Sequence, residues 1–243
     1  MNHDLHHRSE RRKRALLGCV GTALLIMAFA APARAGSGQF WPEVDTFVKL
    51  NDRMRLLFLA TLTRENRESS DGEFGPNLDI HFKALRNPQR WGPFRVDESK
   101  SRFLTLRVGY RFMPSFTGNS PDEHRAVLEV TPRYPLVSGV LVSDRSRMDF
   151  RFVSGDYSWR YRNRLTLERE FSAGRLVFSP YARAELYYDS RVDRVSRVAL
   201  TGGVVIPIVK HIELESYFEH QNDSGGSSNR QVNAVGAVLN LYF

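Results

Sequence analysis

From Tyr157 to Phe171 the chain reads YSWRYRNRLTLEREF. Taken in steps of two, one series is Ser158, Arg160, Arg162, Arg164, Thr166, Glu168 and Glu170. The other is Tyr157, Trp159, Tyr161, Asn163, Leu165, Leu167, Arg169 and Phe171. A β-strand shows alternate residues on opposite faces. One face of this strand is therefore a ladder of charge, and the other is aromatic at one end and aliphatic towards the other. So dense a charged face is unlike the surface of an ordinary soluble sheet. A membrane barrel explains the division directly, with its apolar face towards lipid and its polar face towards an enclosed interior.

The same alternation recurs along the chain. Leu104, Leu106, Val108, Tyr110 and Phe112 oppose Thr105, Arg107 and Arg111, and Met148, Phe150 and Phe152 oppose Arg147, Asp149 and Arg151. Near the end, Glu213, Glu215 and Glu219 oppose Ile212, Leu214 and Phe218. Eleven such segments can be counted between Phe40 and Phe243, separated by turn chemistry such as Asn51-Asp52, Ser154-Gly155-Asp156 and the Gly225-Gly226-Ser227-Ser228 run. The stretch 67–76 reads as a polar loop, and 87–100, with Pro88, Trp91 and Pro93, is hard to place. Bacterial single-chain barrels have even strand numbers and both ends at one rim. Parity therefore predicts an all-β, single antiparallel transmembrane barrel of about twelve strands, with ten as the alternative.

The first 35 residues are set apart. Arg11, Arg12, Lys13 and Arg14 precede an apolar run from Ala15 to Ala30, and Ala33-Arg34-Ala35 closes it with small residues. This is the layout of a cleaved secretory signal, and the run is short for a spanning helix. The expected organisation is a signal peptide over 1–35 and a barrel domain over 36–243. Leu16-Leu17-Gly18-Cys19 resembles a lipoprotein box, but most of the apolar run follows the cysteine rather than preceding it. Loss of the signal removes the single cysteine, and with it disulfide and thiol chemistry. The formal charge of +8 also shrinks, because 29 Lys/Arg then face 25 Asp/Glu. That balance and secretion together argue against nucleic acid as a partner.

The final segment places Val235, Ala237, Leu239, Leu241 and Phe243 on one face. An apolar alternating strand ending in phenylalanine resembles the signal read by the outer-membrane barrel assembly machinery. Leu239, Leu241 and Phe243 are accordingly the expected assembly signal. With YRNRLTLERE, PYARAELYYDSR and VNAVGAVLNLYF, the chain resembles a bacterial family of signal-bearing barrels, domain of unknown function 2490. The resemblance covers nearly everything from Phe40-Trp41 to Phe243 and rests on strand patterns. It implies an outer-membrane barrel of unassigned role, and it brings no catalytic residues.

Inside such a barrel the expected charge network is Arg147, Asp149, Arg151, Arg160, Arg162, Arg164, Glu168, Arg183, Glu185, Arg197, Glu213, Glu215 and Glu219, with Arg107, Arg111, Arg125, Glu129 and Arg133 on the same face. Arginine outnumbers lysine here, and a guanidinium can hold a carboxylate through two parallel bonds. One expectation is a structural lattice around a narrow or closed lumen. A second is a slender pore preferring small anions, with a basic wall facing an acidic one. A lipid-modifying enzyme is a third, but Ser216 and His220 lie roughly 13 Å apart along one strand, beyond hydrogen-bond reach. A soluble barrel carrying an apolar ligand would need the opposite orientation. No catalytic residue, metal site or cofactor is expected, and the expected partners are outer-membrane lipid and the assembly machinery.

Overall fold

A computed structural model describes residues 37–65, 68–85, 97–116, 121–136, 139–173, 176–225 and 229–243. The proposed signal peptide lies outside the described residues. The strands are β1 (Ser37–Asn51), β2 (Met54–Glu65), β3 (Glu68–Ala84), β4 (Arg102–Met113), β5 (Glu123–Pro135) and β6 (Val140–Val153). They continue as β7 (Asp156–Arg169), β8 (Phe171–Ala173), β9 (Leu176–Asp189), β10 (Arg194–Val209), β11 (Ile212–Asp223) and β12 (Arg230–Tyr242).

The sheet contains the twelve strands expected, but they are distributed differently. Eleven close the ring, with β9 pairing β10 and β12 pairing β1. The twelfth, β8, is three residues long and pairs only with the start of β9, outside the ring. All ring neighbours are antiparallel except β1 and β12, which run parallel from Ser37↔Val232 to Phe47↔Tyr242. The barrel is therefore mixed rather than wholly antiparallel. The physical reason is closure: strands that alternate in direction around a ring of odd number must leave its first and last members pointing the same way. As a result the Ser37 end of β1 and the Phe243 end of the chain lie at opposite rims, not at the same one.

Local chemistry sets the turns. Ser154 and Gly155 both have positive φ (51° and 91°) and form a two-residue link between β6 and β7, the conformation that matches strand twist. At the β1–β2 turn, the Asn51 side-chain oxygen accepts a 2.8 Å bond from the Arg53 backbone N–H, a local Asx contact. Of the stretch 67–76, expected as a loop, residues 68–76 are part of β3 and pair with Phe58–Glu65 of β2. Its glycines and proline look irregular in sequence, yet Gly75 lets the β4 backbone at Tyr110 come close, where a side chain could not fit.

The faces follow the alternation. On β7, Leu165 and Leu167 are 45% and 44% exposed on the outer wall, while Arg160, Arg162 and Arg164 turn inward. Phe58, Val108, Leu186, Leu200 and Phe218 likewise project outward. Inside, Asp79 and Asp149 are fully buried and Arg111 is 1% exposed. This reverses the usual soluble arrangement of apolar side chains within and charge without.

Two inward glycines make room for tyrosines lying flat against the neighbouring strand. Tyr217 of β11 covers Gly236 of β12, and Tyr181 of β9 covers Gly203 of β10. Outward Gly202 has nothing near the place of a Cβ. Gly236→Val should therefore lower unfolding stability by about 1–3 kcal/mol through overpacking. Gly202→Val should stay within about 0.5 kcal/mol, with urea unfolding of the folded barrel as the measurement.

Candidate functional site: the enclosed charge lattice

The lattice is organised around carboxylates that each collect several guanidinium groups. Glu185 of β9 accepts from Arg162 Nε (2.9 Å), Arg164 Nη2 (2.6 Å) and Arg145 Nη2 (2.8 Å). Register explains the first two, since Arg164 is directly opposite Glu185 and Arg162 is opposite Tyr187. Arg145 comes from β6 and reaches across β7 to join them. Tyr187 adds its hydroxyl, which accepts from Arg162 Nη2 at 2.9 Å and donates to Glu185 at 3.1 Å.

Three more carboxylates repeat the arrangement. Asp189, at the end of β9, holds Arg151 (3.0 Å), Arg160 (2.8 Å) and Arg191 (2.9 Å). Asp79 of β3 holds Arg55 at 2.8 Å and Arg107 at 2.6 Å. Glu73, also on β3, accepts from Arg111 at 2.9 Å, with Arg147 and Arg125 at 3.8 and 3.9 Å. Arg147 itself donates to Asp149 at 2.6 Å. Such charge-assisted contacts offset the large cost of removing each ion from water.

The opposite wall is acidic and uses hydroxyls as much as cations. Glu213 accepts from the Tyr242 hydroxyl at 2.8 Å. Glu215 accepts from Arg183 at 3.0 Å and from the Tyr181 hydroxyl. Glu219 accepts from Thr201 (2.9 Å) and Gln221 (2.6 Å), and Glu43 of β1 from Thr61 (3.0 Å). Arg197 pairs with Asp223 near the rim that holds Ser37. The arginine-rich strands β4–β7 thus face, across the interior, a wall whose acids come from β11 and β1.

The rim that holds Phe243 is partly covered from inside. The connection between β3 and β4 ends in a short 3-10 turn, Glu98–Ser101, capped by Asp97, whose carboxylate accepts from the Ser99 backbone N–H at 3.0 Å. Asp97 also receives Arg55 at 2.8 Å, Lys100 reaches Glu168 of β7 at 2.7 Å, and Lys49 of β1 meets Glu98 at 2.9 Å. The turn is therefore fastened to the neighbouring strands β1 and β2 and, across the interior, to β7. Burial works against the charge on Asp97, but Arg55 and Lys100 outweigh it and hold the carboxyl well below the usual carboxylate range. A cavity of about 200 Å³ lies against this turn, and a second of about 480 Å³ lies at the other rim beside Arg160, Arg191 and Arg197.

All thirteen expected lattice residues face inward, and Leu239, Leu241 and Phe243 face outward along β12. Sequence reading missed Glu73, because it fell in the stretch taken as a loop. Arg145 and Asp79 carried the right parity, two residues from Arg147 and from Asn77, and were open to the same reading. Asp97 and Lys100 carried no periodic signal at all. Of the histidines, His124 and His220 are outward, hydrogen-bonded to Tyr110 and Asn233. His81 is inward, 3.1 Å from the Thr105 hydroxyl. Among the described residues no group of three or more His, Cys, Asp or Glu is arranged to hold a metal.

Removing a shared carboxylate leaves several buried cations without a counter-charge. Glu185→Ala should cost about 3–5 kcal/mol, whereas Arg191→Ala, which removes a half-exposed partner of Asp189, should cost about 0–1 kcal/mol. Urea unfolding of the two variants beside the parent chain measures the contrast. Because the Asp97 carboxyl is held low, its contribution to docking the turn is fully present above ordinary carboxylate pKa values, about 3.9. It is lost only as pH falls through the depressed value. Limited proteolysis within 97–101 should therefore stay slow from pH 7 down to about pH 4.

A family model described as Protein of unknown function (DUF2490) matches residues 38–232. No curated protein matches the chain.

Proposed function

Since the chain belongs to the DUF2490 family, whose description assigns no activity, we propose from its geometry that it is an integral β-barrel of the bacterial outer membrane. In this reading the arginine–carboxylate lattice braces a narrow interior. The observation that carries it is the reversal of faces: a largely apolar outer wall around an enclosed set of paired charges. In water such a wall would be an aggregation surface, whereas hydrocarbon accommodates it. The 1–35 segment serves as the secretory signal, and Leu239, Leu241 and Phe243 serve as the strand recognised during insertion. Lipid and the assembly machinery are then the partners; neither nucleic acid nor an enzymatic reaction has a place in this reading.

Three tests bear on it. The purified chain should stay folded in SDS until boiled and shift on a gel, and Phe243 deletion should reduce the amount recovered in outer membranes. Leu165→Arg, on the outer wall, should cost about 2–4 kcal/mol if it lies near the bilayer midplane, measured by urea unfolding in lipid vesicles. An unchanged stability would speak against lipid contact.

The second reading is a slender pore preferring anions, favoured by the guanidinium-lined cavity at the rim of Arg160 and Arg197. Planar-bilayer recordings separate the two. A braced, closed barrel gives no stepwise current. A pore gives an anion-selective one that Arg162→Ala or Arg164→Ala weakens.

A further inference from the structure

Twelve arginines that face the interior from the strands have a carboxylate within 4 Å, as has Arg230 at the rim. Arg133 of β5 has none among the described residues, and its hydrogen bond goes to the neutral hydroxyl of Thr105 at 2.8 Å. Asp97 and Glu168, which line the same space, attract it at longer range, but neither is in ion-pair contact, so its guanidinium fork is left open to a further acceptor. Arg133 lines the cavity of about 200 Å³ beside the 97–101 turn.

The same cavity is lined by a carboxylate with no basic side chain within 4 Å among the described residues. Glu213 of β11 holds only the Tyr242 hydroxyl, at 2.8 Å. In the ring β5 and β11 are five strands apart in one direction and six in the other, so Arg133 and Glu213 stand on opposite walls. Between them the lining includes the hydroxyls of Thr131, Ser143 and Thr166. The other charged groups around the cavity are largely engaged with one another: Lys100 with Glu168, Arg183 with Glu215, and Arg164 and Arg145 with Glu185.

We propose that this cavity binds a small amphoteric solute, its carboxylate on Arg133 and its protonated amine on Glu213. The inference rests on the enclosed-lumen reading above and adds a ligand class to it. A planar guanidinium takes a carboxylate through two parallel bonds, and Glu213 can accept an ammonium without giving up Tyr242. At about 30 Å³ per water, the cavity has room for roughly seven waters, or a linear solute of similar atom count. Asp97 and Lys100 of the 97–101 turn form part of its lining.

The test is calorimetric titration of the full chain, purified and folded in detergent, with 5-aminopentanoate, pentanoate and pentylamine. The amino acid should bind at least tenfold more tightly than either one-ended analogue. Arg133→Gln should reduce it to the level of pentylamine while leaving pentylamine unchanged, and Glu213→Gln should do the reverse with pentanoate. The SDS heat shift run on each sample confirms a folded barrel, and Glu213→Gln, which retains a group for Tyr242, supplies a readout if Arg133→Gln does not fold. Absence of binding by a parent chain that shows the heat shift overturns the proposal and leaves the barrel reading standing. So does pentanoate binding as tightly as the amino acid, which marks a plain anion site. A parent chain without the heat shift counts against the membrane reading, and binding in that sample still decides the cavity.

Discussion

A buried guanidinium must find a carboxylate, and most of this structure can be understood from that requirement. Water solvates each ion far better than a protein interior does, so an unpaired charge inside the ring would cost several kcal/mol. Sharing solves the numerical problem. Arginines outnumber acids on β4–β7, and Glu185, Asp189, Glu73 and Asp79 each serve two or more of them. Because the partners come from different strands, the electrostatic requirement is also a geometric one. Arg145 joining Glu185 over β7, and Lys100 joining Glu168 from the β3–β4 connection, tie together elements that backbone hydrogen bonds do not link.

The lattice also accounts for where small residues sit. A wall that must carry arginine and glutamate on one side still needs places where long side chains can lie flat. Gly203 and Gly236 provide those places for Tyr181 and Tyr217, whose rings cover the gap a glycine leaves in a sheet. Tyr181 then reaches Glu215, and Arg183 stacks over its ring at 3.9 Å. An acidic strand with few cations beside it is thereby supplied with hydroxyl donors.

Much of this was legible in the sequence because a strand's period of two is insensitive to context. Arg160, Arg162 and Arg164 could be assigned to one face without knowing their partners, and Leu165 and Leu167 to the other. What the pattern could not convey was partnership. Glu185 as a meeting point for three arginines depends on register between β6, β7 and β9, and register is set by turn lengths and pairing rather than by any one segment. Glu73 was hidden by Gly72, Gly75 and Pro76, which mark turns elsewhere but here permit close strand approach. The sheet holds the twelve strands expected, and only the even count of its closed ring failed, for a different reason. Eleven alternating segments were visible, and the expectation of even parity came from other barrels, not from these residues.

Odd closure gives the molecule a direction. In a ring of even count the polypeptide enters and leaves on one side. Here the parallel contact between β1 and β12 sends the chain in at one mouth and out at the other. The first residue of β1 and the last of β12 therefore belong to different mouths, and every strand between them is crossed on the way from one to the other.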